Sequence, residues 1–172
     1  MHIIAGKFKN LRLDYPKKIR PTSQKVREAV FDILGDIEGY SVLDLYAGSG
    51  AYGIESLSRG AGSAAFVDLS KGSVASVRAN LARAKSFAKV YKIDAIIFLK
   101  RNKLKFDLIF LDPPYEDQSL ELIDMTSSAI KPGGTLVAEA PKKMDLTDTG
   151  SMKLVDRRVY GDTLVGFYRK LK

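Results

Sequence analysis

The stretch "LDLYAGSGAYGIE", residues 43–55, places three glycines between an apolar run and a helix-like pattern. A strand that ends in closely spaced glycines and leads into a helix is typical of the first unit of a nucleotide-binding α/β fold. Glycine permits the tight turn, lets a ligand approach the backbone and allows the helix to pack closely against the strand. We expect this turn to bind a cofactor through Tyr46, Ala47, Gly48, Gly50 and Gly53.

Strand-like and helix-like segments alternate through the rest of the chain. The predicted strands are 41–47, 63–68, 89–94, 106–112 and 134–140, and the predicted helices between them are 51–61, 71–86, 95–102 and 119–130. This alternation requires crossover connections, and therefore a parallel sheet with helices on both faces. Segments 153–160 and 163–170 follow a polar loop, 142–153, and are separated so briefly that they are predicted to pair antiparallel. The predicted fold class is a doubly wound α/β fold with a mostly parallel, seven-stranded sheet.

The N-terminal segment carries most of the net charge. Residues 1–27 contain eight basic side chains and one acidic side chain, so they hold +7 of the net charge of +8. A localised field of this kind attracts polyanions, and a nucleic acid, an acidic membrane surface and an acidic protein are all compatible partners. Residues 2–13 are predicted to form a basic β-hairpin. We expect residues 1–22 to be a basic extension of a domain that comprises residues 23–172.

A helix is predicted over residues 23–35, before the first strand of the alternating pattern. Its buried face is expected to comprise Val26, Val30, Ile33 and Leu34. Ser23 suits the N-cap and Gly35 suits the position after the last helical residue, which predicts both ends of the helix.

Several function classes are excluded by composition. The chain contains no cysteine, which rules out disulfides, a thiol nucleophile and any cysteine-ligated metal. A single histidine, His2, makes a histidine-based metal site or catalytic triad improbable, so no metal is expected. No apolar run approaches the roughly 18 residues of a membrane span, and the first residues do not form a signal peptide. The cytoplasm is the expected compartment.

The glycine turn accepts some cofactors better than others. Nucleoside triphosphates require Lys-Ser or Lys-Thr after the glycines, where this chain has Ala51-Tyr52. Asp44, four residues before Gly48, would oppose the negative pyrophosphate of a dinucleotide. S-adenosylmethionine has no phosphate and carries a sulfonium and an ammonium, which a carboxylate favours. The turn therefore predicts S-adenosylmethionine as the cofactor.

Two further acids follow predicted strands. Asp68 comes twenty residues after Gly48, where a carboxylate accepts hydrogen bonds from the ribose hydroxyls of an adenosine. Asp94 ends the third strand and is placed to accept the adenine amino group. With the neighbouring residues Leu69 and Ala95, these acids complete the predicted cofactor site.

The chain resembles class I S-adenosylmethionine-dependent methyltransferases in "DLYAGSG", "FVDLS", "KIDA" and "DPPY". It resembles the RsmD family more closely, almost end to end, in "HIIAGKFKNLRL", "IRPTSQKVREAVFDIL", "DLYAGSGAYGIESLSRGA" and "VYGDTLVGFY". The resemblance implies methylation of the exocyclic N2 amine of a guanine in small-subunit (16S) ribosomal RNA. Two positions depart from the family pattern: Asp68 stands where glutamate is usual, and Tyr46 stands where phenylalanine is common.

The stretch "FDLIFLDPPYED", residues 106–117, ends a buried strand in a carboxylate, two prolines and a phenol. If the first and fourth strands are adjacent, as the resemblance implies, these groups face the methyl group of the cofactor. Asp112 and a carbonyl near Pro113 can then accept both hydrogens of an NH₂ group. The prolines remove competing donors, and Tyr115 offers a face for a flipped base. The predicted catalytic residues are Asp112, Pro113, Pro114 and Tyr115.

The motif does not identify the acceptor, because adenine N6, cytosine N4 and a glutamine amide present the same NH₂ group as guanine N2. A non-catalytic RNA-binding module is a third alternative. The resemblance favours ribosomal RNA, with the assembled small ribosomal subunit as a plausible substrate of a monomeric enzyme. The predicted RNA-binding residues are Lys7, Lys9, Arg12, Lys17, Lys18, Arg20, Thr22, Lys25 and Arg27.

Overall fold

A seven-stranded sheet forms the centre of the protein. The structure is a computed structural model that describes residues 1–15, 23–114, 116–117 and 119–171. The strands are β1 Ser41–Leu45, β2 Ser63–Asp68, β3 Lys89–Lys92, β4 Phe106–Leu111, β5 Ile130–Pro141, β6 Met152–Tyr160 and β7 Thr163–Lys170. Their spatial order is β3-β2-β1-β4-β5-β7-β6. Strands β1 to β5 are parallel, whereas β7 pairs antiparallel with both β5 and β6, which confirms the predicted fold class.

The described residues include five α-helices, which cover the two faces of this sheet. They are α1 Gln24–Leu34, α2 Ala51–Ser58, α3 Lys71–Arg83, α4 Ala95–Arg101 and α5 Leu120–Thr126. Helices α1, α2 and α3 share one hydrophobic core with the sheet, and α4 and α5 share the other. Neighbouring residues of β1 show why: Val42 packs into the first core and Leu43 into the second. Because central strands are buried on both faces, they are apolar almost without interruption.

The predicted elements are confirmed, with local differences. The buried stripe of α1 comprises Val26, Arg27, Val30 and Phe31, whereas Ile33 is 42% exposed. The prediction for Ile33 was wrong because α1 turns the flank with Arg27 and Phe31 towards the sheet. Ser23 lies at the N-cap of α1 but its side chain makes no capping hydrogen bond, and Gly35 follows the helix with φ +68° as expected.

The N-terminal segment, described over residues 1–15, folds back on itself antiparallel as predicted, because the N–H groups of Ile3 and Leu13 donate to the carbonyls of Leu11 and Met1, but it does not form two continuous strands. Its ends are joined by one antiparallel bridge, His2 to Arg12, and its middle is a 3₁₀ turn, Gly6–Phe8. Gly6 causes the difference: its φ is +79°, and a Cβ there would lie 1.8 Å from the Ser58 carbonyl oxygen. The segment therefore presses against the end of α2 instead of extending a ladder.

Buried side chains tie this segment to the rest of the protein. Ile3 and Leu13 are 0% and 1% exposed and belong to the core of α1, α2 and α3. Glu55 of α2 is fully buried and accepts the backbone N–H groups of Ile4, at 2.8 Å, and Ala5, at 3.0 Å. The described part of the predicted extension thus shares the core of the larger domain.

Arg27 is not a surface residue, and its prediction as an RNA-binding residue is wrong. It is 0% exposed, donates to the His2 carbonyl at 2.5 Å and to the Met1 sulfur at 2.9 Å, and faces Glu55 at 3.7 Å. Burial lowers the pKa of Arg27, and the charge of Glu55 opposes that effect. The guanidinium therefore compensates a buried carboxylate and cannot reach a phosphate in solvent.

Replacing Glu55 by glutamine tests this arrangement. We expect the free energy of unfolding to fall by about 3–5 kcal/mol, because Arg27 and Arg59 lose their shared buried counter-ion. Urea unfolding measures the loss. Glu28→Gln on the exposed side of α1 is the matched control and should stay within about 0.5 kcal/mol of the wild type. A loss below about 1 kcal/mol for Glu55→Gln would contradict this role.

Candidate active site

The predicted site residues converge at the carboxyl ends of β1, β2, β3 and β4. In the strand order, β1 lies between β2 and β4, and the order reverses at this point. Ligands of doubly wound sheets bind in the crevice outside the strand ends at such a reversal. The residues that follow these strands therefore meet around one crevice, although they are separated by up to about seventy positions in the chain.

The glycine turn after β1 is held by β2. The N–H of Gly48 donates to a carboxylate oxygen of Asp68 at 2.9 Å, and the N–H of Ala47 donates to the carbonyl of Val67 at 3.1 Å. Tyr46 and Gly50 have φ values of +58° and +77°, so the backbone turns sharply at both positions. This turn directs the start of α2 towards the crevice.

Asp44 joins β1 to the first turn of α2 through a hydrogen bond. Its carboxylate is 3% exposed and accepts the N–H of Gly53 at 2.9 Å. The helix can come this close only without a side chain at residue 53, because a Cβ there would lie 2.3 Å from the ring of Phe66. Burial raises the pKa of Asp44 well above its ordinary range, and the charges of Asp112 and Asp68 raise it further.

The two other predicted cofactor acids are half-buried and oriented by backbone groups. Asp68 uses its second carboxylate oxygen to accept the N–H of Ser70 at 2.8 Å. Asp94 is the N-cap of α4 and accepts the N–H of Ile97 at 3.0 Å. A carboxylate offers about four acceptor positions, so both retain capacity for a ligand. Beside them, Leu69 is 64% exposed and Ala95 is buried.

Asp112 emerges from β4 beside these groups. It is half-buried, Pro113 is buried and Pro114 is exposed, while Tyr115 lies outside the described residues. The charge of Asp112 contributes to the raised pKa values of Asp44, Glu139 and Tyr52, although burial is the larger cause for each. The carboxylate of Asp112 thus lies within electrostatic reach of three buried groups.

Two residues of the site were missed by the sequence analysis. Glu139 of β5 is 8% exposed and Tyr52 of α2 is 4% exposed, and the hydroxyl of Tyr52 donates a hydrogen bond to Glu139. The ring of Tyr52 stacks on Phe110 of β4 at 4.4 Å between centroids. Burial and the charge of Asp112 raise the pKa of Glu139 well above its ordinary range. The signal in the sequence was an acid inside the apolar run "GTLVAEA".

The predicted RNA-binding residues fall into three groups. Lys7, Lys9, Arg12 and Lys25 are exposed, and Arg27 is buried as described above. The remaining four lie outside the described residues: Lys17, Lys18, Arg20 and Thr22. Within the described part of the chain, no three His, Cys, Asp or Glu side chains are placed so that they could hold a metal ion together. No helix among the described residues has the length and apolar character to cross a membrane.

Comparisons with known proteins agree with this geometry. The family model described as conserved hypothetical protein 95 matches residues 1–169. YlbH of Bacillus subtilis, named provisionally as an rRNA methyltransferase, is 36% identical over 99% of both chains. Ribosomal RNA small subunit methyltransferase D of Escherichia coli K12 is 33% identical over 81% of this chain and 71% of its own length.

Solved structures share the fold. The yhhF protein of Escherichia coli, named provisionally as a methyltransferase, superimposes with a TM-score of 0.87 at 28% identity over 99% of this chain and 97% of its own. A more distant structure, SMU.776, was solved as a complex with SAH. It is 19% identical, has a TM-score of 0.69 and covers 84% of this chain and 48% of its own, so it supports the fold alone.

The buried Glu139 predicts a dependence of stability on pH. As pH rises above the ordinary carboxyl range, the unfolded state loses a proton that the folded state retains, so the free energy of unfolding falls. Glu139→Gln imitates the neutral side chain and removes this effect. We expect the free energy of unfolding of Glu139→Gln, relative to that of the wild type, to increase between pH 5 and 8 by at most about 1.4 kcal/mol per pH unit. Urea unfolding across this range measures it.

The control is Glu121→Gln, at an exposed position of α5. The free energy of unfolding of this variant should differ from that of the wild type by the same amount at every pH. If the Glu139→Gln profile is also parallel to the wild type, the fold does not favour the protonated form of Glu139.

Proposed function

This chain belongs to the RsmD family, described as conserved hypothetical protein 95, and we propose that it methylates the N2 amine of a guanine in small-subunit (16S) ribosomal RNA with S-adenosylmethionine. We propose that the enzyme works in the cytoplasm as a monomer. Its proposed substrate is ribosomal RNA, either free or within the assembled small subunit. The observation that carries the proposal is the convergence of Asp112 with the glycine turn and Asp44 at the reversal of strand order.

The donor set of the crevice fits S-adenosylmethionine. Asp44 presents a carboxyl group at the start of α2, and in its ionised form this group would repel a phosphate and attract the cationic methionine part of the cofactor. Asp68 has acceptor capacity for ribose hydroxyls, and Asp94 is proposed to accept from the adenine amino group. Asp68 in place of the usual glutamate still reaches the glycine turn, because it accepts from Gly48.

Asp112 is proposed to hold the acceptor amine. The lone pair of an exocyclic amine is delocalised into the base, so the nitrogen is a poor nucleophile that becomes positively charged as it attacks. A carboxylate and a carbonyl aimed at its two hydrogens stabilise that charge more in the transition state than in the ground state. When bound, S-adenosylmethionine supplies the methyl carbon, whose bond to sulfur breaks as its bond to the amine nitrogen forms. The proton released from nitrogen goes to Asp112 or to solvent.

The residues around Asp112 restrict the geometry of the amine. Pro113 and Pro114 have no backbone N–H that would compete for the acceptors, and their fixed φ angles set the direction of the carbonyls. We propose that Tyr115 stacks on the flipped base, an interaction worth about 1–3 kcal/mol. Positioning of this kind can supply about 7–11 kcal/mol of a barrier.

The exposed cations of the N-terminal segment are proposed to hold the RNA. Lys7, Lys9 and Arg12 are exposed on the described part, and Lys17, Lys18, Arg20 and Thr22 follow directly in the chain. Contacts to phosphates position an RNA without reading its sequence. Selectivity is therefore proposed to come from the folded shape of the RNA.

The decisive experiment is methyl transfer by Asp112→Asn. With labelled S-adenosylmethionine, the wild type should label small-subunit RNA, and nucleoside mass spectrometry should identify N2-methylguanosine. Asp112→Asn should lower the rate at least about 100-fold, because asparagine keeps one acceptor oxygen but loses the negative charge that stabilises the developing positive charge on the amine nitrogen. Asp36→Asn is the matched control and should retain full activity, and the melting temperatures should agree. Undiminished transfer by Asp112→Asn would refute the role of Asp112, and label in DNA or protein but not RNA would refute the substrate.

Cofactor binding is expected to depend on pH through Asp44. A cation beside this carboxyl lowers its raised pKa, so binding should release a proton and affinity should rise with pH by up to about tenfold per unit. Calorimetry in two buffers with different ionisation enthalpies measures the released proton. Asp44→Asn keeps an oxygen for the Gly53 N–H but should show no pH slope. Wild-type binding without proton release would contradict the proposed position of the cofactor.

A further inference from the structure

A second basic surface lies on α3 and the edge strand β3. Residues 71–92 contain six basic side chains and no acidic side chain, and all six are exposed: Lys71, Arg78, Arg83, Lys85, Lys89 and Lys92. Arg83 is the one that forms an ion pair within the described part of the chain. This surface is distinct from the N-terminal cations that the proposed function uses.

An aromatic ring projects from the middle of this surface. Phe87, in the connection from α3 to β3, is 98% exposed, whereas the next most exposed large apolar residue in the described part of the chain, Leu69, is 64% exposed. Burial of a phenylalanine side chain is worth about 1.5–3 kcal/mol, so the fold gains nothing from this position. Phe87 borders an open groove of about 370 Å³, which Leu81 and Val90 line as apolar residues and Arg78 lines as a cation.

The surface is continuous with the N-terminal segment. Arg83 donates to the Arg12 carbonyl at 2.8 Å and pairs with the Asp14 carboxylate at 2.7 Å. Asn80 accepts the Asp14 N–H and donates to the Asp14 carbonyl, both at 2.8 Å. Arg12 and the cations of α3 therefore lie on adjoining segments, joined through the Arg83–Asp14 ion pair.

Protection of a sheet edge explains only part of this composition. Lysines on an edge strand prevent pairing with another chain, which accounts for Lys89 and Lys92 of β3. It does not account for the cations of α3 or for the exposed ring. A surface with an exposed aromatic ring among cations is typical of proteins that bind unpaired nucleotides, since bases stack on the ring while the cations contact the phosphates.

We propose that the groove between α3 and β3 is a second RNA contact, where an unpaired base stacks on Phe87 and its phosphates lie against Arg78, Lys85 and Lys89. This inference rests on the proposed function for the identity of the polyanion. The groove lies at the amino end of β3, whereas the cofactor crevice lies at the carboxyl ends of the strands. The bound nucleotide is therefore not the methylated one, and the contact contributes to RNA affinity and not to the chemical step.

Phe87→Ala tests the stacking, and Phe87→Trp should restore it. With poly(U) and with deproteinised small-subunit RNA as probes, we expect Phe87→Ala to weaken binding about 5- to 150-fold. The KM for RNA should rise accordingly, while kcat and cofactor affinity stay unchanged. Val155→Ala is the control, because Val155 is 51% exposed on β6, at the opposite edge of the sheet.

Charge reversal tests the phosphate-binding cations separately. Lys85→Glu with Lys89→Glu should weaken binding and reduce the dependence of log affinity on log salt by about 0.7 for each phosphate that is no longer neutralised. Lys153→Glu on β6 is the matched control. RNA binding by Phe87→Ala and by the charge-reversed variant within twofold of the wild type overturns the inference. Preferential binding of the wild type to anionic vesicles over RNA overturns it as well.

The two proposals fail in distinguishable ways. If the wild type methylates RNA and Asp112→Asn does not, but Phe87→Ala binds RNA normally, only the second RNA-binding surface is refuted. If Phe87→Ala no longer binds poly(U) while the wild type transfers no methyl group to RNA, the second surface stands and the proposed reaction fails.

Discussion

The hydrogen bond between the buried Asp44 carboxylate and the Gly53 N–H is the constraint on which the site depends. It joins the end of β1 to the first turn of α2, so it fixes both ends of the glycine turn. The glycine turn places Gly48 against Asp68 and so brings the second strand into the site. A carboxyl group in this desolvated position is unfavourable for folding alone, because burial disfavours its charged form. A cationic ligand in the crevice would recover that cost.

The acids around the crevice act as one electrostatic group. Asp112 raises the pKa values of both Asp44 and Glu139, and Glu139 is hydrogen-bonded to Tyr52. A protonated Glu139 would remove one of the like charges near Asp112. The arrangement suits a sulfonium and a developing ammonium, and it opposes phosphates. The positive charge of Arg27 lowers the pKa of Glu139 and so limits the repulsion.

The sequence predicted local features well and long-range pairs poorly. The seven strands, the glycine turn and the acids after the strands follow from periodicity and from turn chemistry within short windows. The Tyr52–Glu139 pair joins residues 87 positions apart, and Glu55 joins α2 to residues about 50 positions away. Nothing local marks such partners except an acid in an apolar run. Arg27 was misassigned for the same reason, since its charge was visible in the sequence and its burial was not.

The helices that border the crevice also hold the N-terminal segment. Glu55 of α2 binds the backbone of Ile4 and Ala5, and α2 begins at the glycine turn. Asn80 of α3 contacts Asp14 and also donates to the Ser49 carbonyl in that turn, at 2.9 Å. Any displacement of the N-terminal segment would therefore strain the turn itself. If the N-terminal segment holds RNA as proposed, packed helices set the distance between that RNA and the crevice, and a transfer reaction between two separately bound molecules requires such a fixed distance.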